Sequence, residues 1–80
     1  MARVEVLLPQ WGMGMNEGTI LTWHKAVGEA VTEDEPLAEV EAEKVEETLE
    51  APADGTLAEI LVDEGATVEV RTVVAVIETD

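Results

Sequence analysis

The sequence predicts an all-β domain, a sandwich or barrel built from two similar halves of three or four strands packed about a pseudo-twofold axis. Three observations carry this. Short β-branched or aliphatic stretches are separated by turn signals every 8 to 12 residues or so. No stretch has convincing helical punctuation. The chain also repeats itself at a fixed offset.

"RVEVLL" alternates, with Val4, Val6 and Leu8 on one face. "GTILTWHK" is the next strand, and "AVGEAV" the turn after it. "PLAEVEA" places Ala38, Val40 and Ala42 on one side, and "VEETLEA" places Val45, Leu49 and Ala51 on one side. "ADGT" and "DEG" are turns around the strand "LAEILV", and "TVVAVIET" closes the chain. "VEAEKVEETLEA" can also be drawn as an acidic helix, with Glu43 and Glu47 one turn apart. The β-branched Val40 and Val45, and the prolines at 36 and 52 that bracket the region, favour a hairpin.

Shifting residues 17–43 by 37 lays them on 54–80 without a gap. Gly18 meets Gly55, Thr19 meets Thr56, Gly28 meets Gly65, Val31 meets Val68, Ala38 meets Ala75 and Glu41 meets Glu78. The glycines fall in turn positions and the apolar residues in strands, as a shared backbone requires. "VLLP" and "LEAP" also end strands in proline, but Pro9 and Pro52 are 43 apart. The first half therefore carries six extra residues in its loop, "QWGMGM" from Gln10 to Met15.

The 80 residues are predicted to form one domain, residues 1–80, with a thin core, since a chain of this length buries only about 60% of its unfolded surface. With no Phe or Tyr and two Trp, the core falls to Val, Leu, Ile and Ala. The 19 acidic and 4 basic residues give a formal charge of −15. Such a surface repels phosphate, which argues against nucleic acid and anionic membrane and for basic protein surfaces as partners. There is no Cys, no apolar run near the roughly 18 residues of a spanning helix, and no signal-peptide pattern. The expectation is a cytoplasmic, soluble, monomeric domain.

The inventory excludes much chemistry. Without Ser, Cys or Tyr, the common nucleophiles reduce to Thr and Lys. One histidine, His24, builds neither a triad nor a multi-histidine metal site. The glycines at 12, 14 and 18 miss the dinucleotide-binding spacing, and the acidic turns lack calcium-loop spacing. What stands out is Lys44. It lies among six glutamates in "EVEAEKVEETLE", at the tip of the expected hairpin and at the junction of the two repeats. A lysine among carboxylates stays protonated and is a poor catalyst, but on an exposed turn it is a good attachment point.

The extra loop poses a separate question. Trp11, Met13 and Met15 give it apolar area. Either it folds back to cap a thin core, or it is kept for recognition of a partner.

At these residues the sequence resembles the lipoyl domains of 2-oxo acid dehydrogenase complexes. "LPQWGMGMNEGTILTWHKAVGEAV" is similar to the family's first half, and "PLAEVEAEKVEETLEAPADGTL" to its lysine hairpin and the turn that follows. The resemblance implies a flattened β-barrel of two four-stranded antiparallel sheets, with lipoate joined by an amide bond to Lys44 in a turn flanked by Glu43 and Val45. It implies a non-catalytic swinging arm of the dihydrolipoamide acyltransferase type. The arm would be acylated by a thiamine-diphosphate decarboxylating component, discharged at an acyltransferase core, reoxidised by dihydrolipoyl dehydrogenase, and installed by a lipoylating enzyme. It also implies that the loop with Trp11, Met13 and Met15 lies beside the lysine turn. One departure is Glu43, where the family usually has Asp. The related biotinyl domains flank their lysine with Met on both sides, so Glu43 and Val45 favour the lipoyl reading. A biotinyl carrier of carboxyl groups and an unmodified interaction domain are the alternatives.

Overall fold

The computed structural model describes residues 2–42 and 45–79. Eight strands follow in order: β1 (Ala2–Leu7), β2 (Glu17–Trp23), β3 (Ala30–Val31), β4 (Pro36–Ala42), β5 (Val45–Glu50), β6 (Gly55–Ile60), β7 (Thr67–Glu69) and β8 (Val73–Thr79). They form two four-stranded antiparallel sheets, ordered β1-β8-β6-β3 and β5-β4-β2-β7. The stretch that could be drawn as an acidic helix is the β4–β5 hairpin.

The repeat alone suggests halves packed face to face. The structure differs, because each sheet draws two strands from each half. Moving β1 onto β5, β8 onto β4, β6 onto β2 and β3 onto β7 turns one sheet order into the other. The exchange is visible in single hydrogen bonds. The Gly28 N–H donates to Leu57 O at 2.8 Å, and the Gly65 N–H to Ile20 O at 2.6 Å. The Leu57 N–H donates to Glu29 O, and the Ile20 N–H to Ala66 O, both at 2.9 Å. In each pair the two donors are repeat mates, and so are the two acceptors. The contact is therefore self-complementary, as a twofold interface must be. Neither half can complete its backbone pairing without the other.

Both β-bulge types are repeated as well. Registers slip between Ile20 and Thr22 in β2 and between Leu57 and Glu59 in β6. Val74, opposite Val6/Leu7, and Leu37, between Pro36 and Ala38, are skipped in the ladders. An inserted residue breaks the two-residue alternation of a strand. That is why Leu37 and Ala38 are both fully buried, as are Val74 and Ala75. The core runs between the sheets, with Leu8, Ile20, Leu37, Val40, Leu57, Val74 and Ile77 as its largest fully buried side chains. Burying each is worth about 1.5–3 kcal/mol. No buried side-chain polar atom among the described residues lacks a hydrogen-bond partner.

Candidate functional site

The β4–β5 hairpin is held by cross-strand pairs from Ala38↔Leu49 out to Ala42↔Val45. The segment that joins these last partners is Glu43-Lys44. Glu43 and Lys44, the expected attachment turn, lie outside the described residues. The strand ends around them are well defined. Glu41 lies directly opposite Glu46, an arrangement that costs stability because like charges face each other. Val45 shares a strand face with the buried Leu49, yet it is 57% exposed because it lies beyond the edge of the core.

The extra loop comes to this same end of the domain. Its apolar residues have three different fates. Met15 is 4% exposed and belongs to the core, whereas Met13 is completely exposed. Trp11 is half-buried against the core cluster. The loop is folded by its own bonds: the Met15 N–H donates to Gly12 O at 3.2 Å, and Gln10 Nε2 donates to Met15 O at 3.2 Å. The Trp11 N–H points at Met15 Sδ, 3.4 Å away. Gly14 takes φ 84°, which favours glycine there. A Cβ on Gly18 in β2 would crowd Val40 Cγ1 at 2.9 Å and lie in ordinary contact with Met15 Cε at 3.5 Å.

Trp11, Gly12, Met13 and Met15 from the loop, with Ala42, Val45 and Glu47 from the hairpin, line a half-open groove of about 100 Å³. The structure thus brings Trp11, Met13, Met15 and Val45 together. It also divides the loop's role. Met15 caps the core, and Met13 with the outer part of Trp11 stays at the surface.

The other lysine is engaged elsewhere. Lys25 Nζ lies 3.2 Å from a Glu35 carboxylate oxygen, with both side chains largely covered. The Thr32 N–H, and then Lys25, hold the Glu35 carboxyl below the usual carboxylate range. Two polar arrangements had no sequence signal. Glu39 accepts from Thr48 Oγ1 at 3.2 Å and lies 2.9 Å from His24 Nε2, tying β4 to β5 and to the residue that follows β2. Glu64 reaches across from a turn to accept the Trp23 N–H at 2.8 Å and the Thr22 hydroxyl at 3.0 Å, and these bonds lower its pKa. Groups that meet across 9 to 42 positions in a strongly acidic sequence leave no local pattern to read.

The family model described as biotin-requiring enzyme, Biotin_lipoyl, matches residues 4–77. The chain belongs to the biotinyl/lipoyl domain family. Within it, the domain is 47% identical over 74 residues, 92% of its length, to the dihydrolipoyllysine-residue acetyltransferase component of the pyruvate dehydrogenase complex of Corynebacterium glutamicum. It is 44% identical over 71 residues, 89% of its length, to the succinyltransferase component of the Escherichia coli 2-oxoglutarate dehydrogenase complex. The chain spans only 11% and 18% of the length of these two relatives. Its fold is similar to the solution structure of the lipoyl domain of the 2-oxoglutarate dehydrogenase complex from Azotobacter vinelandii. That match has a TM-score of 0.74 and 36% identity, covering 96% of this chain and 99% of that one. Two four-stranded sheets are therefore the architecture that the resemblance implied.

Proposed function

We propose that this lipoyl-type domain carries lipoate in amide linkage on Lys44 and serves as the swinging arm of a 2-oxo acid dehydrogenase complex. The observation that carries the proposal is the hairpin itself. β4 and β5 stay paired out to Ala42↔Val45, so the segment bearing Lys44 is presented by two long strands rooted in the core. Lys25, in contrast, is held by Glu35. The relatives named for a dihydrolipoyllysine residue support lipoate as the group. Glu43 and Val45 flank the lysine as they do not in biotinyl domains.

When bound, lipoate supplies a dithiolane that accepts an acyl group and two electrons together. The chain's own residues anchor, present and identify it. The rigid sheets keep the anchor in place while the arm moves, and tethering raises the effective concentration at each partner's site. The partners proposed are the thiamine-diphosphate decarboxylating component, the acyltransferase core, dihydrolipoyl dehydrogenase and the lipoylating enzyme. The acidic surface would steer the domain toward basic patches on them. Relatives from a pyruvate dehydrogenase complex and from a 2-oxoglutarate dehydrogenase complex are almost equally similar, at 47% and 44% identity.

Intact mass and peptide mapping after expression with lipoate and biotin supplied test the proposal. A lipoyl increment on the Lys44 peptide, lost in Lys44→Arg with the melting temperature nearly unchanged, is the expected result. A biotinyl increment would establish the biotinyl carrier instead, and no increment would leave an unmodified interaction domain.

A further inference from the structure

The groove between the extra loop and the base of the hairpin has a position, a size and a lining that together select an occupant. Its hairpin wall is Ala42 and Val45, the described residues on either side of the proposed attachment point. Its loop wall and floor are Trp11, Gly12, Met13 and Met15, and among the described residues Glu47 is the one ionisable member of the lining.

The pseudo-symmetry makes this placement informative. The Ala42↔Val45 pair has a repeat mate, Ala2↔Thr79, at the end of the other sheet. The loop from 10 to 15 has no counterpart after Pro52. The fold therefore adds an apolar wall at one of two equivalent ends, the end with the lysine. It does so while leaving Met13 fully exposed, a feature the backbone topology does not require.

We propose that this groove seats the dithiolane ring of the Lys44 arm, resting it against Trp11 and Met15 between transfers. The inference rests on the reading of Lys44 as a lipoyl carrier and names what this chain does with the group. The size fits. An apolar cavity of about 150 Å³ encloses benzene, and the sulfur-bearing ring is of similar bulk, so a groove of about 100 Å³ open on one side takes the ring against its wall without enclosing it. The chemistry also fits, since soft, polarizable sulfur packs favourably beside aromatic rings. The neighbouring groove of about 410 Å³ is a poor seat for the ring, because Glu5, Asp34 and Glu50 lie among its lining residues. A seated ring would keep the disulfide out of solvent near its anchor and would be released when a partner takes over the Met13 side.

Trp11 reports on this directly, because a disulfide in contact with an indole quenches its fluorescence. The domain is prepared in two forms, each confirmed by intact mass and by mapping of the Lys44 peptide. One carries lipoyl and the other octanoyl, which has the same carbon chain without sulfur. With Trp23→Phe, Trp11 is the sole emitter. Contact of sulfur with the ring should lower its emission about twofold in the lipoyl form relative to the octanoyl form, and reducing the ring with a phosphine should restore it. Equal emission from the two forms overturns the proposal, and is also what a groove reserved for a partner's side chain would give. If Trp23→Phe fails to fold, Trp11→Phe gives the complementary test. The lipoyl-dependent quenching seen in the native domain should vanish, and its persistence through Trp23 would overturn the assignment. A domain that gains no mass on the Lys44 peptide removes the carrier reading itself, and the mass separates that failure from an empty groove in a lipoylated domain.

Discussion

Asp34 and Arg71 share one backbone conformation, each at φ 71°, and they are 37 residues apart, the offset of the sequence repeat. They are the only non-glycine residues among those described with positive φ. Each closes the turn before an inner strand and donates its N–H across to the end of an outer one. Asp34 N donates to Ala51 O at 2.8 Å, and Arg71 N to Leu8 O at 2.7 Å. The bonds that return are Ala51 N to Glu35 O and Leu8 N to Thr72 O. The twofold relation thus dictates even left-handed backbone, where the side chains have nothing in common.

The two positions bear this conformation unequally. Aspartate tolerates the left-handed region because its short polar side chain can bond locally, whereas arginine pays the ordinary steric penalty. Arg71→Asn should therefore stabilise the domain by about 0.5 kcal/mol, and Asp34→Asn should change little. Thermal melts at neutral pH read both. A destabilised Arg71→Asn would mean that the Arg71 side chain makes a contribution larger than the relief of strain.

The paired glycines separate two reasons for keeping glycine. Gly28 and Gly65 sit at φ 98° and 89° with open space where a Cβ would be, so Ala at either should cost a similar amount, about 1 kcal/mol, from backbone strain alone. Gly18 and Gly55 are also repeat mates, but their limit is space. A Cβ on Gly55 would collide with the backbone oxygen of Glu78, while one on Gly18 meets the movable side chain of Val40. Gly55→Ala should be the most destabilising of the four, and Gly18→Ala clearly milder. Equilibrium denaturation of the four variants gives the order, and equal losses at 18 and 55 would contradict the contact geometry.

Much of this fold was legible because the repeat aligns residues with strict backbone demands. The longer strands, the hairpin and the equivalence of Gly28 with Gly65 follow from glycine spacing and alternation, whereas the short β3 lies in "AVGEAV", which reads as a turn, and β7 has too few residues to show a pattern. The bulges did not show, because skipping Leu37 or Val74 in a ladder changes which residues face inward without changing their apolar character. Asp34 and Arg71 did not show, since unlike side chains hide a common φ. The interleaving of halves was not legible either, because a repeat reports that two segments are alike and not which of them pair. At the proposed site, Lys44 stands out by its isolation among carboxylates. The burial of Met15 was not marked, because a Met beside glycines in a loop has no periodicity to assign it to the core.

Glu64 links two segments by charge-assisted hydrogen bonds, and this gives a pH signature. Bonds from the Trp23 N–H and the Thr22 hydroxyl lower its pKa from the ordinary 4.5. A carboxylate with a depressed folded pKa contributes stability above its unfolded value, and that contribution is lost as pH falls through the folded value. The native domain should melt higher than Glu64→Gln at pH 7, and the gap should close as pH drops below 4.5. Relief of repulsion among the other carboxylates acts on both proteins and cancels in the difference. A gap that stays constant down to strongly acidic pH would show that the glutamine loses shape and not charge.

The six-residue loop divides its methionines between the core and the surface. Met15 is buried beside Gly18 and the core, so truncating it should cost about 2–3 kcal/mol, as for other large-to-small core changes. Met13 touches solvent on all sides, so Met13→Ala should leave stability within about 0.5 kcal/mol. If the loop identifies the domain to the decarboxylating component, Met13→Ala should nevertheless slow reductive acylation while Lys44 is lipoylated normally. Removing the whole loop cannot test this, since it also takes Met15 from the core and lowers stability. The informative comparison is therefore acylation rate against melting temperature for the two single variants, each fully lipoylated by mass. Acylation lost in Met13→Ala with stability intact assigns recognition to the exposed methionine. Acylation that falls only in Met15→Ala, in step with its melting temperature, would make the loop a cap and nothing more.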